Sequence, residues 1–140
     1  MKFDVKKDCI GVDWIAVSAL LKKAGMACYE PGVQKKAFEA SHTTIFICHA
    51  GTLIGLGRAL SDGVYQASVY DCAVSLEYQG NGIGKMIITN ILSELPHCNV
   101  ILYATPGKEG FYQKHGFKRM KTGMAKFMKS DVMSERGFTE

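Results

Sequence analysis

Residues 77–92 read EYQGNGIGKMIITNIL, with glycines at 80, 82 and 84 followed at once by an apolar stretch. A glycine inside a helix costs about 1 kcal/mol relative to alanine. Accepting that cost at a helix entrance calls for a tight turn or for another group coming very close to the backbone. Downstream, Ile83, Met86, Ile87, Ile91 and Leu95 form one apolar stripe, while Lys85, Thr89, Ser93 and Glu94 lie elsewhere on the helix. Pro96 ends it. Asn99 to Ala104 (NVILYA) is a continuous apolar run, the pattern of a strand buried on both faces. Strand, glycine loop, helix and strand make a βαβ unit. Its loop lies at a helix N-terminus, where unpaired amides and the helix dipole favour an anion.

Upstream, Lys2 to Lys6 alternates and reads as a short strand. Val12 to Ala24 carries Ile15, Ala19, Leu20 and Ala24 at helical spacing, with Asp13 near its start and Gly25 as its stop. Pro31 opens a second helix over Gly32 to Ala40. From Thr43 the rhythm changes to β-branched and apolar residues. Strands are expected over Thr43–His49, Leu53–Leu60 and Val64–Val74, joined by turns at Ala50-Gly51 and Asp62-Gly63. This predicts a three-stranded antiparallel meander. Gly55 and Gly57 inside its second strand point to a bulge or a close approach. After the βαβ unit come a short helix over Lys108–His115, a stop at Gly116, and two weaker strands near Phe117–Met120 and Met124–Met128. The last dozen residues read as frayed.

The 140 residues fit one domain, 1–140. No run approaches the ~18 apolar residues of a membrane span, and MKFDVKKDCIG lacks the apolar core of a signal peptide. Cys9, Cys28, Cys48, Cys72 and Cys98 are scattered and contain no C-x-x-C pair, which suits a reducing cytoplasm better than a disulfide framework or a metal site. The net charge of +4 is uneven. Lys108, Lys114, Lys118, Arg119, Lys121, Lys126 and Lys129 crowd a stretch whose one acid is Glu109. Such a stretch serves a phosphate-bearing ligand, a nucleic acid or simply a solvated surface. It has no interleaved aromatic pattern for stacking bases, so a nucleic-acid partner is not expected.

Three phosphate cradles compete for the glycine loop. The P-loop pattern G-x-x-x-x-G-K-[ST] fails, because Gln79 stands at its first glycine and Met86 at its hydroxyl. The dinucleotide fingerprint fails in spacing and lacks an acid closing the next strand, which ends on Ala104-Thr105. The segment Gln79-Gly80-Asn81-Gly82-Ile83-Gly84 fits Q/R-x-x-G-x-G/A. It resembles the acyl-CoA pyrophosphate loop of the GNAT superfamily of N-acyltransferases. Residues 110–117, GFYQKHGF, resemble that superfamily's F-Y-x-x-x-G-F signature at a matching separation, and the order of elements agrees over nearly the whole chain.

The resemblance implies an α/β acyl-CoA N-acyltransferase fold. Its central sheet is mixed and mostly antiparallel, flanked by helices, with two parallel strands splayed at the CoA site. It also implies acetyl-CoA as co-substrate, no metal, and direct attack by a primary amine without a covalent enzyme intermediate. By the same resemblance Cys72, Ala73 and Val74 offer backbone groups to the pantetheine arm, and the amides of Gly80, Asn81, Gly82, Ile83, Gly84 and Lys85 hold the pyrophosphate. Tyr112 protonates the leaving thiolate, and Phe111 is the packing residue beside it. At the position of Thr105 many relatives carry an asparagine that contacts the pantetheine arm; Thr105 is the corresponding cofactor-binding candidate, able to donate one hydrogen bond, or it instead caps the following helix, with Pro106 at its first position. For the general base, Asp71 is the nearest carboxylate in sequence to Cys72–Val74, as base or as amine anchor. Asp62, His42, His49 and water are the alternatives. Arg58 is a candidate for binding a substrate carboxylate. A small-molecule amine is the expected acceptor, with a protein N-terminus or lysine second and a non-catalytic acyl-CoA-binding module third. Dimerisation through the C-terminal strands is a family-level expectation.

Overall fold

The computed structural model describes all 140 residues, which fall into two compact units, Met1–Leu102 and Tyr103–Glu140. In the first, the chain runs β1 (Asp4–Lys6), α1 (Trp14–Lys23), α2 (Pro31–Glu39), β2 (Thr43–His49), β3 (Thr52–Ser61), β4 (Gln66–Val74), a 3₁₀ turn (Leu76–Tyr78), α3 (Ile83–Ser93) and β5 (Asn99–Ile101). The strands form one sheet in the order β1-β2-β3-β4-β5. The first four are antiparallel neighbours and β5 joins β4 in parallel. This is the mixed, mostly antiparallel sheet that the resemblance implied.

Local chemistry accounts for the element ends. Asp13 caps α1 by accepting from the amides of Ile15 (3.1 Å) and Ala16 (3.2 Å). Gly25, at φ +75°, closes α1 with its amide on the Lys22 carbonyl. Pro31 opens α2. Ala50 and Gly51 both take positive φ, as a two-residue hairpin with the twist of its strands requires. At Asp62 the turn is longer than a tight Asp-Gly hairpin. One Asp62 oxygen accepts from the amides of Val64, Tyr65 and Gln66 at 2.8, 2.9 and 3.1 Å, so β4 starts at Gln66 rather than Val64.

Helices cover both faces of the sheet. On one, α1 and α2 deliver Val17, Leu20, Leu21 and Phe38 onto Phe46, Leu56 and Ala73. The buried side of α1 is therefore Val17, Leu20 and Leu21, and Ile15 points out at 72% exposure. On the other face α3 lies directly on Gly55 and Gly57, the close approach that these glycines suggested. A Cβ at Gly55 would stand 2.7 Å from Ile83 Cγ2, and one at Gly57 2.7 Å from Ile87 Cγ2. Residues 55 and 57 alternate with Leu56 across the strand, which puts α3 opposite the α1–α2 layer.

Three expectations change. β5 is three residues long, pairs with β4 alone at the edge of the sheet, and is not doubly buried: Asn99 and Ile101 are exposed on one face and Val100 is half-buried on the other. In the second unit α4 covers Glu109–Gln113, and residues 117–128 form no strands. Met124 and Met128 there are fully open to solvent, while Phe117 and Phe127 pack edge-on against Tyr112 and Tyr103. Finally, Ser130–Glu135 is a helix, α5, rather than a frayed end; behind it Gly137 at φ +84° reverses the chain and the Phe138 amide returns to the Met133 carbonyl.

Candidate active site: a glycine-lined helix start beside a bulged strand

The loop after β4 is built from backbone turns. Gln79 is extended and exposed. Gly80 and Gly82 take φ of +85° and +77°, a region that L side chains rarely adopt, and nothing lies within 4 Å of the Cβ either would carry. The glycines thus do two things at once: they permit the turns and they leave the surface open. Asn81 is occupied with the loop itself. Its side-chain amide donates to the carbonyls of Tyr78 (3.0 Å) and Gln79 (3.5 Å), and its backbone amide donates to Tyr78 (3.3 Å). Asn81 thus holds the turn. Gly82 begins α3 with no side-chain cap, and the first intrahelical bond is Met86 N–H to Gly82 O, 3.0 Å. The amides of Ile83, Gly84 and Lys85 lie ahead of that bond at the positive end of the helix dipole.

Ile83 anchors this helix start over β3 at Gly55, and Gly55 pairs with Val74. The loop is thereby fixed beside the end of β4. The β4–β5 ladder stops at Ser68–Ile101, while β4 runs on to Val74. β5 itself ends at Ile101, so the β4 edge beyond Ser68 carries no ladder with β5. Ala73 is buried in the α1–α2 core, and Val74 and Cys72 are half-buried.

Between Ser68 and Val74, β4 is not regular. Leu56 pairs with Ala73 but Arg58 pairs with Tyr70, so Asp71 and Cys72 stand opposite Gly57 alone. This is a β-bulge, and Asp71 has a left-handed φ of +57°. Its carboxylate accepts a 2.7 Å charge-assisted bond from Arg58 Nε. The guanidinium also donates to Ser41 Oγ (3.3 Å) and lies 5.6 Å from the Phe38 ring centroid and 5.4 Å from that of Tyr70. Arg58 is thus largely buried, with Nε and one terminal nitrogen already bonded within the protein. The sequence offered each residue separately; nothing in it joined them, because the bulge that brings Asp71 to Arg58 shifts the strand register.

The other candidates have structural employment. Asp62 is turn chemistry, and its amide partners, Val64 foremost, lower its pKa. His42 Nδ1 meets Thr43 Oγ1 at 2.8 Å. His49 Nδ1 meets the Lys2 carbonyl at 3.0 Å and its ring packs edge-on to Phe3 and Tyr78. Burial raises the Cys9 and Cys48 thiols, keeping them protonated. In the second unit, Tyr112 on α4 packs edge-on against Phe111 (5.0 Å) and Phe117 (5.8 Å). Phe111 and Tyr112 are both half-buried, so Phe111 is not the more buried of the two in kind. Thr105 does not cap α4: its carbonyl accepts the Lys108 amide (2.9 Å) and the helix begins at Glu109.

Residues 18–127 match the family model of the acetyltransferase (GNAT) domain. The chain belongs to the GNAT acetyltransferase family. It is 32% identical over 117 residues to the uncharacterized N-acetyltransferase ycf52 of Gracilaria tenuistipitata var. liui, covering 81% of this chain and 60% of that protein. It is 29% identical over 122 residues to the chloroplastic serotonin N-acetyltransferase 2 of Oryza sativa subsp. japonica, covering 82% and 61%. The chain thus spans about three-fifths of the length of these relatives. A GNAT-family acetyltransferase structure from Streptococcus pneumoniae TIGR4 superposes with a TM-score of 0.78 at 25% identity, covering 91% of this chain and 99% of that one. GNAT acetyltransferases use acetyl-CoA. No helix of this member is long and apolar enough to cross a membrane, and no three His, Cys, Asp or Glu side chains cluster to hold a metal ion.

Proposed function

We propose that this GNAT member is an acetyl-CoA-dependent N-acetyltransferase acting on a small primary amine. The observation that carries the reading is the uncapped start of α3, lined by Gly80 and Gly82 and set beside the end of β4, beyond its ladder with β5. The fit to a pyrophosphate is chemical: amides of Ile83, Gly84 and Lys85 without helix partners, an open surface, and the Lys85 ammonium on the same turn. Bound acetyl-CoA supplies an activated thioester. The loop amides hold its pyrophosphate, and the outer edge of β4 past Ser68 holds its arm. Tyr112 is the proposed acid, on the resemblance of Phe111-Tyr112-Gln113-Lys114-His115-Gly116-Phe117 to the family signature; a phenol of pKa about 10 is a suitable donor to a departing thiolate. Asp71 is engaged by Arg58, so proton removal from the amine is assigned to water.

The small-amine acceptor is supported by the name of the rice relative, which specifies serotonin. A screen of acetyl-CoA turnover against arylalkylamines, polyamines, amino acids and peptides tests it. Turnover with small amines is expected. Turnover with peptides alone replaces the acceptor, and binding of acetyl-CoA without turnover on any amine replaces the enzyme with a regulatory binding module.

A further inference from the structure

We propose that Arg58 and Asp71 are a positioning pair, holding the β4 bulge in the form that presents Ala73 and Val74 to the acyl donor. The proposal rests on the acetyl-CoA reading above and deepens it. Three observations carry it. First, Asp71 takes φ +57°, a left-handed conformation that is uncommon for a residue with a side chain and that aspartate and asparagine tolerate better than most. Second, its surroundings are specific. The Arg58 Nε–Asp71 Oδ2 bond is 2.7 Å, both side chains are less than one-fifth exposed, and Arg58 is itself fixed by Ser41, Phe38 and Tyr70. Third, the bulge ends at the residues in question. Pairing resumes at Leu56–Ala73 and Gly55–Val74, and the α3 start rests on that same Gly55.

The consequence is geometric. A bulge adds one residue to β4, and side chains alternate along a strand. Without the extra residue, every group beyond position 72 would turn to the opposite face. Ala73 would leave the core and the β4 edge would present a different set of backbone groups. The carboxylate of Asp71 therefore acts through the backbone of its neighbours and not on the amine.

Acetyl-CoA titration calorimetry, with kcat against pH, tests this on Asp71→Asn, Asp71→Val and Arg58→Met, each checked for a cooperative melt. Asparagine tolerates a left-handed φ and still accepts a bond from Arg58; valine does neither. Asp71→Val and Arg58→Met are expected to weaken acetyl-CoA about 10-fold or more, and Asp71→Asn clearly less, with the acidic limb of the Asn variant's kcat profile in place. Loss of that limb in Asp71→Asn with acetyl-CoA affinity retained would make Asp71 the general base and overturn the proposal. So would wild-type affinity in Asp71→Val or Arg58→Met. If either of these does not fold, Asp71→Asn decides through its pH profile. A wild-type chain that fails to bind acetyl-CoA removes the functional reading as well, whereas wild-type binding matched by all variants removes only the positioning role.

Discussion

At the scale of single residues, the loop glycines show why a conformational argument and a binding argument must be kept apart. Gly82 has both burdens: φ +77° and an open surface in front of it. Gly82→Val is expected to cost about 1–2 kcal/mol of stability from the left-handed backbone. Beyond that it should weaken acetyl-CoA by at least ~10-fold, about 1.4 kcal/mol. Calorimetry on the folded variant checks it, and unchanged affinity would remove the cradle. Tyr112→Phe keeps the ring that packs on Phe111 and Phe117 and deletes the hydroxyl. Acetyl-CoA affinity should hold while kcat falls ~10²-fold; an intact kcat would leave Tyr112 a packing residue. Asp62 gives a pH dependence. Three backbone amides, Val64 first, depress its pKa in the folded chain. It therefore adds stability above its unfolded pKa of about 3.9, and that contribution is lost as pH falls through the lower folded value. Asp62→Asn does not titrate, so its melting temperature should drop less steeply on acidification than the wild type's. Parallel curves would show that the turn does not matter to the acid limb.

Elements are decided by what covers them. Residues 83–93 form a helix on their apolar stripe, but the tightness of its seat depends on the two glycines of β3. A methyl group at position 57 would meet Ile87 Cγ2 at 2.7 Å, Cys72 Sγ at 3.0 Å and Ile91 Cδ1 at 3.0 Å. The γ2 methyl of isoleucine sits on a branched Cβ and has little freedom to yield. Gly57→Ala should therefore destabilise the fold by about 1–3 kcal/mol, as overpacking does, read from the urea midpoint. An unchanged midpoint would mean that α3 shifts freely on the sheet. Neither the exposed edge position of β5 nor the missing strands in 117–128 could be read locally. Apolar runs such as NVILYA state that a segment can pair and be covered, and only its neighbours settle whether it is.

For the whole molecule, the proposed ligand links site and stability. Acetyl-CoA binding only to the folded chain should raise its stability by about 2.7 kcal/mol at 100 times Kd, seen as a concentration-dependent rise in melting temperature. A flat response would remove the ligand. The sequence by itself determined the order of elements as far as β5, the antiparallel meander, the glycine-lined helix start and the family, since each rests on periodicity, turn residues or a short contiguous motif. It also named Asp71 and Arg58 individually. Their union, the bulge that produces it, the loss of Arg58 as a free cation and the employment of Asn81 within its own loop belong to the tertiary structure. The physical reason is register: side-chain period fixes which face a residue takes only while the ladder is regular. The one-residue insertion at Asp71–Cys72 breaks that regularity and brings together Arg58 and Asp71, on different strands, at 2.7 Å.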